Sequence, residues 1–194
     1  MKEIVAILIG AVLINNLVLS RFLGIHPALG ASKDLRPNLG VSAAVVIVMC
    51  VSAAVIWPVY TYILAANGLE YLSTLIFIML VVIIAQLAGM AARRFAPALY
   101  KPFSGYMPSV ITNCAVLGLV LLNVDGYTFW QAMANAFGAG IGFLLAMVLF
   151  AGVREKLDNA DIPKWFKGAP ITLIAASIVS VAFMGFAGIA DKLM

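Results

Sequence analysis

The segment Ala6–His26, AILIGAVLINNLVLSRFLGIH, decides how the chain folds, because a long apolar run carries two adjacent amides in its interior. A helix that crosses the roughly 30 Å hydrocarbon core of a bilayer needs about 20 mostly apolar residues. Counted from Ile4 at a rise of about 1.5 Å per residue, Asn15 and Asn16 lie about 16 Å along such a helix. The segment therefore predicts a first membrane span with polar groups near its centre.

The composition of the whole chain agrees with a membrane environment. Of its 194 residues, 64% are hydrophobic and 10% are charged, whereas soluble domains average about 45–50% apolar and about 25% charged residues. A soluble core could not bury that much apolar surface, so we interpret the chain as an integral protein of the lipid bilayer. The first run lacks a small-residue cleavage site and is expected to stay as a span. The basic residues form no stripe, so nothing indicates nucleic-acid binding.

Six apolar runs predict six transmembrane helices, of which the fourth is short for a full crossing. The expected spans are Ile4–Phe22, Leu39–Ala65, Tyr71–Ala92, Pro108–Leu122, Phe129–Val153 and Ala169–Ile189. Ten of the twelve Lys and Arg residues fall at the end of span one or in the loops after spans one, three and five. By the positive-inside rule, these basic loops are cytoplasmic and the N- and C-termini lie outside.

The two halves of the chain carry a similar motif. INNLVLS at Ile14–Ser20 resembles ITNCAVLG at Ile111–Gly118, which places Asn16 beside Asn113. Three spans followed by three spans that start on the opposite face form an inverted repeat, with a functional site near the midplane. We therefore expect an all-α integral membrane protein with one domain over residues 1–194. Repeat one covers about 1–96 and repeat two about 97–194, with broken half-helices near spans one and four.

Amide side chains inside a membrane need partners, which leaves two interpretations for Asn15, Asn16 and Asn113. They either make hydrogen bonds between helices, or they line a site or hold a broken helix together. The small residues Gly138 and Gly142 in GAGIG are expected to allow close helix packing.

Cys114 is a candidate metal ligand, because Pro102, Gly105 and Pro108 interrupt the chain before it. A helix that starts at these breakers has free N–H groups at a positive end, and Cys114 would lie about 8 Å inside it. That end would help to keep a thiolate, which could bind metal. The alternative is a free cysteine that packs as a small hydrophobe. Cys50 lies in a smooth helical run, where packing is the expected role.

His26 is the only histidine of the chain and lies between Gly24 and Pro27. A lone histidine at a helix end is ordinarily structural. With one histidine, and with acidic residues confined almost wholly to loops, the sequence argues against acid–base catalysis by this chain alone.

Four blocks together carry a family resemblance that extends from Ile7 to Phe186. They are LINNLVLSRFLGIHPALGASK, PSVITNCAVLGL, FGAGIGFLLAMVLFAGVREKLDNADIPKWFKG and ITLIAASIVSVAFMGF. These blocks resemble the RnfA subunits of Rnf electron-transport complexes, which are similar to NqrE of the sodium-pumping NADH:quinone oxidoreductase. The resemblance implies a translocase subunit of the bacterial or archaeal plasma membrane that is not catalytic alone. Its complex would move electrons between reduced ferredoxin and NAD, coupled to Na⁺ or H⁺ transport.

The resemblance also implies partners and a cofactor. These subunits pair with a homologous, RnfE-like membrane subunit of opposite topology, and the pair holds a [2Fe–2S] cluster between its half-helices. Each subunit gives two cysteines. Flavins and other iron–sulfur centres belong to other subunits of the complex (B, C, D and G), through which ferredoxin and NAD are reached.

The sequence departs from the family pattern at one of the two ligand positions. The second family cysteine matches Cys114, whereas His26 fills the place of the first. The imidazole could bind iron, as in Rieske centres, and would make the cluster easier to reduce. Otherwise the cluster is displaced or lost, or a different thiol replaces the ligand, for which Cys50 is the only candidate. The related amides Asn15, Asn16 and Asn113 would shape the site.

Two conditions follow for this site. Ligation by His26 requires the chain to break near Gly24–Gly30 and turn back inward, which glycine permits. Because two protein ligands fall short of the four that a [2Fe–2S] cluster takes, a membrane partner must supply the rest. Two rival functions remain: a small six-span substrate-binding component of a membrane transporter, with a ligand cavity and no metal, and a cluster-free structural subunit.

Overall fold

The computed structural model describes residues 2–26, 35–95, 107–124 and 126–185, and every regular element in these ranges is helical. The α-helices are α1 Lys2–Ile9, α2 Leu35–Val59, α3 Ser73–Phe95, α4 Met107–Ile111, α5 Cys114–Val124, α6 Phe129–Asp158 and α7 Ala169–Met184. A π-helical turn, Gly10–Ile14, continues α1. A second π-helical turn, Tyr60–Leu64, and a 3₁₀ turn, Ala65–Asn67, continue α2, and the 3₁₀ turn Glu70–Leu72 precedes α3.

Three of the described helical stretches are long and apolar enough to cross a membrane. They are Asn38–Asn67, Glu70–Arg94 and Phe129–Leu157. Shorter apolar helical stretches cover Glu3–Ile14, Pro108–Val124 and Ala169–Met184. These segments follow the order of the six expected spans, and the all-helical, membrane-type fold is confirmed. Six complete crossings and the inverted repeat stay predictions, because the short stretches fall below the length of about 20 residues that a straight crossing needs.

Helix α6 is the centre of the bundle and packs against α1, α2, α5 and α7, most extensively against α2. Its buried face is rich in alanine and glycine, so neighbouring backbones can approach closely. A Cβ added at Gly140 would lie 3.0 Å from the side chain of Val46 on α2. Larger apolar side chains then fill the space around this seam: Val45, Val48, Met49, Phe143 and Met147 are all buried.

The GAGIG segment of α6 packs closely on a neighbouring helix, as expected, and that neighbour is the first helical segment. A Cβ added at Gly138 would lie 3.0 Å from Ala11 Cβ, and one at Gly142 would lie 3.1 Å from the carbonyl oxygen of Ala11. No comparable contact exists at Gly10, where an added Cβ meets nothing within 4 Å. The glycines of α6 therefore bring the π-helical turn of the first segment into contact with the centre of the bundle.

A buried amide pair fixes α5 against α6. Asn135 Nδ2 donates to Asn123 Oδ1 at 2.7 Å, and Asn123 Nδ2 donates to the carbonyl oxygen of Ala132 at 3.2 Å. Asn123 is fully buried near the end of α5. Since Cys114 begins the same helix, this pair also fixes the direction in which Cys114 is presented.

Candidate functional site

The first helix breaks at Asn15–Asn16, and the buried side chain of Asn16 holds the break together. Its Nδ2 donates to the carbonyl oxygens of Val12 at 3.0 Å and Gly142 at 2.8 Å. Its Oδ1 accepts from the N–H groups of Val18 at 3.0 Å and Leu19 at 3.2 Å. Both donor protons and the acceptor are thus satisfied. Asn16 holds the broken helix together and also makes a hydrogen bond to another helix, at Gly142 of α6.

The chain then forms a turn with two left-handed residues, Phe22 and Gly24. The N–H of Leu23 donates to the carbonyl oxygen of Leu17 at 2.8 Å, and Phe22 between them has a φ of 55°. A residue with a Cβ rarely adopts such a left-handed φ, which glycine adopts readily. Gly24 follows with a φ of 74°. The chain therefore turns at 22–24, immediately beyond the first break.

The second break separates α4 from α5 at Thr112–Asn113 and repeats part of this geometry. Asn113 Oδ1 accepts from the N–H of Ala115 at 3.0 Å, an Asx turn like the one that Asn16 makes. The Nδ2 group of Asn113, however, is buried and has no hydrogen-bond partner among the described residues. A buried donor without a partner lowers the stability of the fold by about 1–3 kcal/mol. An acceptor from outside the described residues would remove this cost.

Cys114 is the first residue of α5, and its thiol is exposed. The expected position about 8 Å inside a half-helix is wrong, because the chain breaks again after α4 and starts a new helix at the cysteine. Cys114 therefore lies at the N-terminus of α5 itself, where the free N–H groups create positive potential. The backbone N–H of Gly24, whose hydrogen carries a partial positive charge, also points at the sulfur and donates to Cys114 Sγ at 3.0 Å.

Only glycine allows this approach at position 24. A Cβ there would lie 2.7 Å from Asn113 Oδ1 and 2.8 Å from Ala115 Cβ, and a φ of 74° is strained for any other residue. The turn after the first break therefore rests directly on the second break. The turn that follows the motif around Asn16 thus contacts the motif around Asn113, through Gly24 and Cys114.

His26 is exposed and ends the described part of this segment. It follows Gly24 by two residues, a span of at most about 7 Å between the Cα atoms. The expected turn near Gly24–Gly30 lies partly outside the described residues, which stop at 26 and resume at 35. Within the described part, the first helix breaks earlier, at Asn15–Asn16, and the chain turns at 22–24.

The remaining candidates are placed differently. Asn15 is exposed, and its described hydrogen bond is made by its backbone N–H to the carbonyl oxygen of Gly10 at 2.7 Å. Asn15 therefore marks the break, while Asn16 stabilises it. Cys50 is half-buried in the uninterrupted helix α2, in agreement with the packing role. Ser180 was missed by the sequence reasoning: its hydroxyl on α7 donates to the carbonyl oxygen of Leu19.

The donor set fits one part of an iron–sulfur site. Cys114 offers a thiol at a positive helix end, Gly24 offers an N–H to the sulfur, and Asn113 has an unused buried N–H. Within the described ranges, no three His, Cys, Asp or Glu side chains lie close enough together to hold a metal ion. The described residues of this chain can therefore hold a cluster only together with ligands from elsewhere.

Comparison with known proteins gives a match over nearly the whole chain. The family model described as "Rnf-Nqr subunit, membrane protein" matches residues 4–190. A protein of Syntrophotalea carbinolica, named as the A component of an "Ion-translocating oxidoreductase complex", is 46% identical over 190 residues, which are 97% of this chain and 98% of the relative. A relative of the same name from Serratia proteamaculans is 45% identical over 97% of this chain and 98% of its own length.

A third relative has a more specific name. It is the A component of the "Na(+)-translocating ferredoxin:NAD(+) oxidoreductase complex" of Acetobacterium woodii, and it is 42% identical over 186 residues, which are 95% of this chain and 97% of the relative.

Proposed function

This chain belongs to the Rnf-Nqr family of membrane subunits, and from that membership we propose that it transfers electrons within an ion-translocating ferredoxin:NAD⁺ oxidoreductase. In this role it holds an intramembrane [2Fe–2S] cluster jointly with a homologous subunit. The complex is a translocase that couples electron transfer to Na⁺ or H⁺ transport. The chain is not catalytic alone, because ferredoxin, NAD and the flavins are bound by other subunits.

The observation that carries the proposal is the placement of Cys114. Free cysteines in proteins are mostly buried and pack as small hydrophobes, whereas this thiol is exposed at the start of α5, after a break in an apolar stretch. The free N–H groups at the N-terminus of α5 lie beside this sulfur, and a cysteine sulfur is a ligand for metal. An exposed thiolate in a membrane region is stable only when something covers and binds it.

The covering group is a second membrane subunit of opposite topology, RnfE-like in family terms. Cys114 and His26 supply two ligands, so a second subunit with two ligands completes the four that the cluster takes. Both breaks contain an Asx turn at an asparagine, one in each proposed repeat, and this shared geometry supports an inverted repeat with six spans in a single membrane domain. The basic loops then face the cytoplasm.

His26 is the proposed second ligand of this chain. It lies two residues beyond Gly24, which contacts the Cys114 sulfur, whereas Cys50 lies in an unbroken helix. A neutral imidazole in place of a thiolate leaves the cluster less negatively charged, and the cluster is then reduced at a higher potential. When bound, the cluster accepts and returns one electron at a time, and the residues of this chain ligate it, orient it and exclude water.

The experiment that tests the function is electron paramagnetic resonance (EPR) and iron analysis of the assembled complex with Cys114→Ala. We expect the signal of the intramembrane cluster to disappear, because one thiolate ligand is removed. Cys50→Ala is the matched control and should keep the signal. An unchanged signal and unchanged electron transfer in Cys114→Ala would instead favour a cluster-free structural subunit. A colourless, iron-free complex with a bound small organic molecule would favour the transporter component.

The role of His26 has its own test in the same complex. With His26→Cys, a cluster with an additional thiolate should form and have a more negative midpoint potential than the wild type. With His26→Ala, the cluster should be lost or strongly altered. If all three proteins give the same signal and the same potential, His26 is not a ligand.

A further inference from the structure

We propose that the backbone N–H of Gly24 is a dedicated hydrogen-bond donor to the Cys114 sulfur that raises the reduction potential of the cluster, an inference that rests on the proposed function. Gly24 belongs to the turn after the first break, and Cys114 starts the helix after the second. One half of the chain therefore supplies a thiolate, and the other half sets how strongly that thiolate donates electrons.

The contact has the geometry of a strong hydrogen bond. The nitrogen of Gly24 lies 3.0 Å from Cys114 Sγ, which is short for sulfur because its radius exceeds that of oxygen. Gly24 is buried, although the thiol itself is exposed. Water therefore has no ready access to the N–H, and the sulfur is its acceptor. An N–H bond to an ionised sulfur is charge-assisted and stronger than the same bond to a neutral one.

Two independent constraints at position 24 serve the same contact. Its backbone is left-handed, with a φ of 74°, and the space for a Cβ is already taken by Asn113 Oδ1 and Ala115 Cβ. Each constraint alone calls for glycine. The second constraint would disappear if the turn were withdrawn from the second break by a small distance. The fold instead keeps the turn pressed against Asn113 and Ala115, where its N–H reaches the sulfur.

The turn that carries the donor is held from both sides. The N–H of the preceding residue, Leu23, donates to the carbonyl oxygen of Leu17. The side chain of Leu23 packs on α5 so closely that a Cβ added at Gly118 would lie 2.5 Å from Leu23 Cδ1. A donor on a rigid support does not need to reorganise when the charge of the cluster changes.

The expected effect on the cluster follows from its charge. Reduction adds a negative charge, and an N–H that points at a ligand sulfur stabilises the reduced form more than the oxidised form. Hydrogen bonds to the sulfurs are among the features that set the potential of iron–sulfur centres. Gly24 thus acts as a positioning and tuning residue without being a ligand. A positive shift from its N–H adds to the one expected from imidazole at His26.

The test is pulsed EPR of the reduced complex, with this chain alone labelled with [¹⁵N]glycine and assembled with unlabelled partner subunits. We expect a ¹⁵N hyperfine coupling between the cluster and glycine nitrogen. Gly24→Ala removes the labelled nitrogen at position 24, so loss of the glycine coupling in this variant assigns the coupling to that residue. The new Cβ also pushes the turn away from Asn113 and Ala115, so the midpoint potential should become more negative. Gly10→Ala is the matched control, because its Cβ meets nothing within 4 Å. It should change neither quantity.

The outcomes separate this inference from the proposed function. A cluster that depends on Cys114 but shows no coupling to glycine nitrogen of this chain would overturn the inference and leave the function standing. The same holds if Gly24→Ala keeps both the coupling and the potential. The absence of any cluster in the wild-type complex would overturn the function itself. Should Gly24→Ala fail to assemble, the labelling of the wild-type chain still decides.

Discussion

The two helix breaks of this molecule have the same local sequence pattern and differ in how completely they are satisfied. Each has an asparagine two residues after an isoleucine, and each asparagine Oδ1 accepts an N–H from two residues further on. Asn16 also uses both of its Nδ2 protons, one of them on the carbonyl oxygen of Gly142. Asn113 has a buried Nδ2 with no partner among the described residues.

The difference lies in the neighbouring helix, since the local turn is the same. Helix α6 presents Gly142 to the first break, and the missing side chain exposes a carbonyl oxygen that Asn16 can reach. The second break has no such acceptor among the described residues, and an exposed thiol follows it directly. One break is therefore closed by the chain itself, whereas the other is left with an unused donor beside a candidate ligand. This difference supports the proposal that the first break is a structural support and that the second carries the site.

The largest effect expected from this comparison is on the stability of Asn16→Ala relative to Asn113→Ala. Asn16→Ala leaves buried carbonyl and N–H groups without partners, and it should lower the free energy of unfolding by about 2–4 kcal/mol. Asn113→Ala loses one hydrogen bond but also removes an unpaired donor, so the change should be about 1 kcal/mol or less. Unfolding titrations with sodium dodecyl sulfate in mixed micelles measure both. Equal losses would mean that the breaks are equivalent supports.

A smaller effect is expected when the neighbouring helix is altered and Asn16 is kept. In Gly142→Ala, the added Cβ would lie 3.0 Å from Asn16 Nδ2 and 3.1 Å from the carbonyl oxygen of Ala11. The helices must separate, at a cost of about 1–3 kcal/mol. Gly10→Ala, in open space, is the control and should cause no loss. If both variants unfold at the same detergent fraction, α6 does not support the first break.

Much of this fold could be predicted from the sequence, because apolar length and polar interruption are local properties. The apolar runs appear as helices in the expected order, and Asn16 and Asn113 lie at breaks. The exact end of the first helix could not be predicted. Its break depends on a hydrogen bond between Asn16 and Gly142, which are 126 residues apart. Residues near Gly24 looked like the better break point because glycine and proline are local signals.

The site could be predicted in part for the same reason. Cys114 and Asn113 stood out, since a thiol and an amide are unusual within an apolar run. The contact of Gly24 with the Cys114 sulfur could not be predicted, because it depends on how two distant turns pack. The position of Cys114 at the start of α5 depended on a second break that the prolines before it did not indicate.

The smallest expected effect concerns the turn that follows the first break. Phe22 holds a φ of 55°, whereas residues 107–124, around the second break, contain no left-handed residue. A left-handed conformation costs a residue with a Cβ about 1–2 kcal/mol, and glycine avoids this strain. Glycine also loses more conformational entropy on folding, which offsets about 0.5–1 kcal/mol of that advantage.

Phe22→Gly should therefore be more stable than Phe22→Ala by about 0.5–1 kcal/mol, and both variants lose the same half-exposed ring. The same detergent titration measures this difference, and the comparison of the two variants removes the contribution of the aromatic side chain. If Phe22→Ala is equal or more stable, the turn is not left-handed at this position. Gly24 would then not reach Cys114 by this route, and the asymmetry between the two breaks would rest on Asn16 and Asn113 alone.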